Sequence, residues 1–151
     1  MYRLLDKLQH SFFDFNQPFG MHMNPKNRWI DLADRIPWDV FEAKYVERFL
    51  RTTGNVAKPL RMALGSLIIQ SKFQYSDREL VEQITENPYL QYFIGLPSYQ
   101  DELPFDASTL VLFWKRLTHE TMAAAITERK REAAAVRTSA APRTRFPFWR
   151  N

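Results

Sequence analysis

Residues 58–96, KPLRMALGSLIIQSKFQYSDRELVEQITENPYLQYFIGL, decide how this chain folds. They hold three helix signals in succession with almost no loop between them. Pro59 suits a first helical turn, where its missing N–H costs nothing. Leu60, Ala63, Leu64, Leu67 and Ile68 then recur at helical spacing. Gly65 inside that run costs about 1 kcal/mol relative to alanine, and a close crossing with another helix would explain its presence. Ser76-Asp77-Arg78-Glu79 has the pattern of a capping box, in which Ser76 accepts from the N–H of residue 79 and Glu79 reaches back. Leu80, Val81 and Ile84 supply the buried face of that second helix. Asn87 and Pro88 stop it and start a third, Asn87 as cap and Pro88 in the first turn. Tyr89, Leu90, Phe93 and Ile94 are its apolar residues, and Gly95 closes it.

Helical signals continue on both sides. Upstream, Asn24-Pro25 marks a turn into a short helix over residues 28–35. Pro37 breaks that helix and opens another over about residues 38–50, where Trp38, Phe41, Tyr45 and Phe49 form one apolar stripe, with Glu42, Lys44, Glu47 and Arg48 off it. Thr52-Thr53-Gly54-Asn55 is loop chemistry, with Gly54 a helix stop. Downstream, residues 96–105 read as a connector. Asp106 is the natural cap of a further helix beginning near Ala107, with Leu110, Phe113, Trp114 and Leu117 as its apolar face and Lys115 and Arg116 as a basic edge. Helical character extends through residues 122–126 and as far as Ala135. The four phenylalanines Phe12, Phe13, Phe15 and Phe19 form either a cluster docked on the core or a loosely packed arm. No alternating strand pattern and no internal repeat is present.

The expectation is an all-α fold: a compact bundle of about five to six helices, including a possible helix-turn-helix. A chain of 151 residues suits one domain. Its divisions are an N-terminal arm (1–23), a helical domain (24–127) and a basic Ala/Arg-rich tail (128–151) expected to be disordered. The formal net charge of +4 sits in that tail. Residues 1–127 carry 14 Lys and Arg against 15 Asp and Glu, and residues 128–151 carry 7 against 2. A nucleic-acid argument from overall charge is therefore unsafe. With no cysteine, disulfides, thiolate metal sites and cysteine nucleophiles are excluded. No signal-peptide pattern or membrane-length apolar run occurs, so a cytoplasmic protein is expected, with no membrane partner.

The residues supply no enzyme hypothesis, and neither catalytic nor metal-binding residues are assigned. Asp31, Asp34, Asp39, Glu42 and Glu47 read as solvated helix positions and as partners for Arg28, Arg35, Lys44 and Arg48, since a divalent ion needs several oxygens converging on one point. His10, His22 and His119 are scattered. A helix-turn-helix across residues 74–76 would present Arg78 and Gln83 on its second helix, and both suit base edges. The same helix carries Asp77, Glu79, Glu82 and Glu86, which do not suit phosphates. It reads equally as a core-packing helix with a solvated acidic face. The better basic candidates for DNA contact are Lys58, Arg61 and Lys72 before it, and Lys115 and Arg116 after it.

Several blocks, in order, resemble the N-terminal domain of InsH-like bacterial insertion-sequence transposases. They are Asn24-Pro25 with Asn27-Arg28-Trp29, Leu32-Ala33-Asp34 with Ile36-Pro37-Trp38, residues 58–65 (KPLRMALG), residues 76–93 and residues 104–110 (PFDASTL). The resemblance covers about residues 24–126. It implies a helical region that handles DNA, with the terminal inverted repeats of the parent element as partner. It also implies a following ribonuclease H-like domain whose Asp, Asp and Glu bind two divalent metals for phosphoryl transfer. No Asp follows Asp106 here, and the tail resembles nothing in the family. The expectation is therefore a truncated or frameshifted, non-catalytic fragment that needs no cofactor itself. Trp114 stands where this family is expected to have an Arg. The alternatives are a protein–protein module that forms a homo-oligomer or joins an intact transposase, and a non-functional remnant.

Overall fold

The computed structural model describes residues 11–47 and 56–117. In chain order these form a 3-10 turn at Phe12–Asp14, then α1 (Arg28–Arg35), α2 (Trp38–Val46), α3 (Leu60–Phe73), α4 (Asp77–Glu86), α5 (Pro88–Phe93) and α6 (Thr109–Arg116). The described residues contain no strand. Their sole β-type pairing is an isolated parallel bridge between Asn16 and Ser98. The all-α expectation holds. The expected tail and the continuation of α6 past Leu117 lie outside the described residues, as do Phe49 and the loop at residues 52–55.

The centre of the bundle is α3, which packs against α2, α4, α5 and α6, while α1 lies on α5. Every residue from Leu60 to Ile69 is buried. The sequence pattern suggests one stripe, but a helix with neighbours all around it has no solvent face over these turns. Gly65 is where the closest of those neighbours passes. A Cβ there would lie 3.3 Å from Ile94 Cγ2 and 3.4 Å from Ile94 Cα, so the absence of a side chain lets the end of α5 approach α3.

The helix ends follow the capping chemistry of the sequence. Asn27 caps α1 by accepting from Trp29 N at 2.9 Å, and Ser76 Oγ accepts from Glu79 N at 3.3 Å at the start of α4. The Asn87 side chain accepts from Tyr89 N at 2.9 Å and Leu90 N at 3.4 Å, with Pro88 in the first turn of α5. That helix ends in a Schellman arrangement. Gly95 takes a φ of 87°, its N–H donates to Tyr92 O, and the N–H of Leu96 donates to Gln91 O. Asp106 caps one turn earlier than α6 itself: its carboxylate accepts from Ser108 N at 2.8 Å, and hydrogen bonding from the Ser108 side chain, then from its backbone, holds the Asp106 pKa below the ordinary carboxylate value.

Two segments without helix are tied down by named groups. Gln91 is fully buried. Its amide nitrogen donates to the carbonyls of Thr85 (2.9 Å) and Gln100 (2.7 Å), and its oxygen accepts from Gln100 N at 2.9 Å, pinning the connector to α4 and α5. The N-terminal segment docks as Phe12 and Phe15, both buried, meet the Tyr92 ring edge-on, each at 5.7 Å. Phe13 and Phe19 are exposed, so only half of the phenylalanine cluster serves the core.

Two apolar and polar assignments need correction. Trp114 is 47% exposed rather than part of the inner face of α6, because Leu110, Phe113 and Leu117 already fill that face. Glu42 is buried rather than solvated, on the side of α2 shared with Phe41 and Tyr45.

Candidate nucleic-acid interface

Three residues, Gln74 to Ser76, separate α3 from α4. The turn is made by Gln74, whose φ of 60° and ψ of 33° are left-handed, an unusual conformation for a residue other than glycine. Local hydrogen bonds hold it there. Gln74 N donates to Gln70 O at 2.7 Å, and Gln74 Nε2 donates to Ser71 O at 2.7 Å. Gln70 Nε2 spans the turn, donating to Tyr75 O at 3.3 Å and to Asp77 Oδ1 at 2.7 Å. Gln70, Ser71, Gln74, Tyr75 and Trp114 line a shallow cleft of about 360 Å³ at this junction. Tyr75 also stacks on Phe73, with ring centroids 5.1 Å apart and planes 25° from parallel.

The residues singled out from the sequence fall into distinct settings. On α4, Arg78 is exposed and Gln83 half-buried, beside exposed Asp77, Glu79, Glu82 and Glu86. Lys58 is exposed and its ammonium donates to Pro104 O at 3.2 Å, linking the start of α3 to the connector. Lys115 is exposed; Arg116 is half-buried beside Tyr45 of α2. Burial raises the Tyr45 hydroxyl pKa above its ordinary value, while the Arg116 charge and hydrogen bond draw it back. Lys72, exposed at the end of α3, holds its ammonium 4.9 Å from the centre of the Trp29 ring.

Arg61 has a different place. It is 2% exposed, in the middle of the bundle. Its Nε donates to Phe93 O at 3.0 Å and its Nη2 to Tyr92 O at 2.8 Å, so the guanidinium is held by carbonyls at the end of α5. The rings of Trp38 and Tyr92 lie 5.3 and 5.2 Å from it. Burial lowers its pKa, with Tyr92 and Asp34 acting against that shift. An enclosed guanidinium with these partners does not face a phosphate backbone, which leaves the exposed cations as the candidates.

Sequence reading assigned Arg28 only as a partner for nearby carboxylates. In the structure Asp31 pairs with Arg35, one helical turn on, and Arg28 turns to the rings of Trp29 and Phe73, at 5.9 and 5.8 Å. The contact with Phe73 joins residues far apart in sequence, which no local pattern signals.

Among the described residues, no group of three or more His, Asp or Glu could hold a metal ion, and no helix is long and apolar enough to cross a membrane.

These helices, with their short α3–α4 turn and exposed cations, define an all-α domain. Residues 18–116 match the family described as Transposase domain (DUF772), a span that contains all six described α-helices, and the chain belongs to that family. It is also 37% identical over 95 residues to a Rhizobium meliloti protein described as "Uncharacterized protein ORF8 in nfe locus". That alignment takes in 63% of this chain and 45% of the relative, so the chain spans less than half the length of the curated protein it matches. No solved structure matches.

Proposed function

We propose that this chain is the DNA-binding N-terminal region of an insertion-sequence transposase and recognises the terminal inverted repeats of its element. The observation that carries this reading is the extent of the transposase-domain match, residues 18–116, which contains every α-helix described here. The three-residue junction with left-handed Gln74 supports a helix-turn-helix, in which α4 follows a helix that anchors it in the core. Exposed Lys58, Lys72, Arg78 and Lys115, with half-buried Gln83 and Arg116, are the contact candidates. In this reading cutting and joining belong to a metal-dependent catalytic domain, and these residues bind and position DNA without catalysis of their own. The test is fluorescence anisotropy with a labelled inverted repeat and an unrelated duplex of equal length. Tighter binding to the repeat at every salt concentration supports the proposal, and equal affinity throughout defeats specific recognition.

A second reading is a protein–protein module that forms an oligomer or joins an intact transposase. Val111, Leu112 and Trp114 favour it, because they expose apolar surface on α6. The acidic surface of α4 also suits a protein partner better than phosphates. Sedimentation of the full chain without DNA separates the two: a concentration-independent monomer counts against the module.

A further inference from the structure

We propose that Arg28 and Lys72 form a two-cation grip for the phosphate backbone of DNA, braced on the Trp29 ring; the proposal rests on the DNA-binding reading above. Arg28 opens α1 and Lys72 lies in the last turn of α3, and both are exposed. Their charges lie 5.9 and 4.9 Å from the same ring centroid, so they can be no further apart than the sum of those distances. That limit is close to the Debye length of about 10 Å at 0.1 M salt, so a phosphate approaching either charge feels both.

The brace is rigid. Trp29 is 3% exposed and packs against Phe93 at 4.9 Å and Phe73 at 5.9 Å. Phe73 takes Arg28 on its own ring and passes the contact to Tyr75 in the α3–α4 turn. The two aromatic faces hold the Arg28 guanidinium in place without cancelling its charge, as a carboxylate would. Arg28 has no carboxylate partner among the described residues, because Asp31 is taken by Arg35. Its planar fork suits a phosphate bidentately, and Lys72 adds a point charge beside it. The acidic surface of α4 is a poor place for phosphates, so the grip at the start of α1 and the end of α3 supplies the backbone affinity and leaves any base reading to the turn and α4.

The test is a salt series of anisotropy titrations from about 50 to 200 mM on the full chain, with the inverted repeat and with an unrelated duplex. Arg28→Gln and Lys72→Gln are each expected to reduce the slope of log affinity against log salt by about one, equally for both duplexes, and the double variant by about two. Arg28→Lys should keep the slope, and Lys44→Gln, an exposed charge on α2, should change nothing. Circular dichroism checks that each variant is folded. An unchanged slope in the double variant overturns the grip while leaving DNA binding intact. A loss confined to the inverted repeat also overturns it, because it would make these residues base readers. A wild-type chain that binds neither duplex removes the DNA-binding reading and the grip together; binding to an acidic polypeptide instead would hand the same cations to a protein partner.

Discussion

Gly95 lies directly against the stem of Arg61: a Cβ placed on Gly95 would stand 2.9 Å from Arg61 Cδ and 3.2 Å from Cγ. The two residues meet because the left-handed turn at Gly95 reverses the chain after α5, where the last carbonyls of α5 receive the Arg61 guanidinium. The helix terminus and the buried cation are therefore one unit, and neither tolerates change independently of the other.

Gly95→Ala should be destabilising on two counts. Its φ of 87° strains any residue with a Cβ, and the added methyl collides with a side chain that two hydrogen bonds hold in place. A cost of about 2–3 kcal/mol is expected from these combined effects. Urea denaturation of wild type and variant measures it. A difference below about 0.5 kcal/mol would mean that Arg61 moves aside freely.

Arg61→Lys separates a structural cation from one that binds DNA. A single ammonium cannot reproduce the fork that serves Tyr92 O and Phe93 O together, so about 2 kcal/mol of stability should be lost. DNA affinity, measured well below the melting temperature, should stay at the wild-type value because the side chain is enclosed. Full stability with weakened DNA binding would reverse the assignment.

Phe113 and Trp114 are sequence neighbours with opposite expectations. Phe113 is fully buried and meets Phe105 edge-on at 5.3 Å, so Phe113→Ala should cost about 3–5 kcal/mol. Trp114→Ala should cost less than about 1 kcal/mol, as expected for a half-exposed side chain on the rim of a cleft. Thermal melts of the two variants check the ordering.

Alkaline pH should weaken the fold. Burial is the largest influence on the Tyr45 and Tyr92 hydroxyls and raises both pKa values above the ordinary 10.0, although Arg116 and Arg61 respectively draw them back. The folded chain then keeps these protons at a pH where the unfolded chain has released them. The stability they contribute is complete below pH 10 and is lost as pH rises through the folded-state values. Urea midpoints measured upward from pH 9 should fall, and Tyr92→Phe should reduce the fall relative to the wild-type chain at the same pH.

Local chemistry made the helices legible and left their packing hidden. Ser76, Asn87 and Gly95 act within a few residues of themselves, and each does what its type and position suggest. The contact that explains Gly65 depends on Ile94, and the setting of Arg61 depends on the end of α5; neither can be read along one helix. Periodicity failed for Trp114, because three residues spaced along α6 already fill the inner face and a fourth at the next position has nowhere to go. It also failed to mark α3 as buried all round, since a stripe cannot announce how many neighbours a helix will have. The candidate interface was legible as a set of cations, but which of them stay exposed, and which share a ring, emerged only from tertiary contacts.

Hydroxyl-radical footprinting on the end of the element that encodes this chain tests the proposed role most directly. The expectation is a protected patch within the terminal inverted repeat that appears at lower protein concentration than any protection of the flanking DNA, and that shifts to higher concentration for the Arg28→Gln/Lys72→Gln double variant. Uniform protection along the fragment, or none at concentrations that saturate the anisotropy signal, would contradict recognition of element ends by this domain.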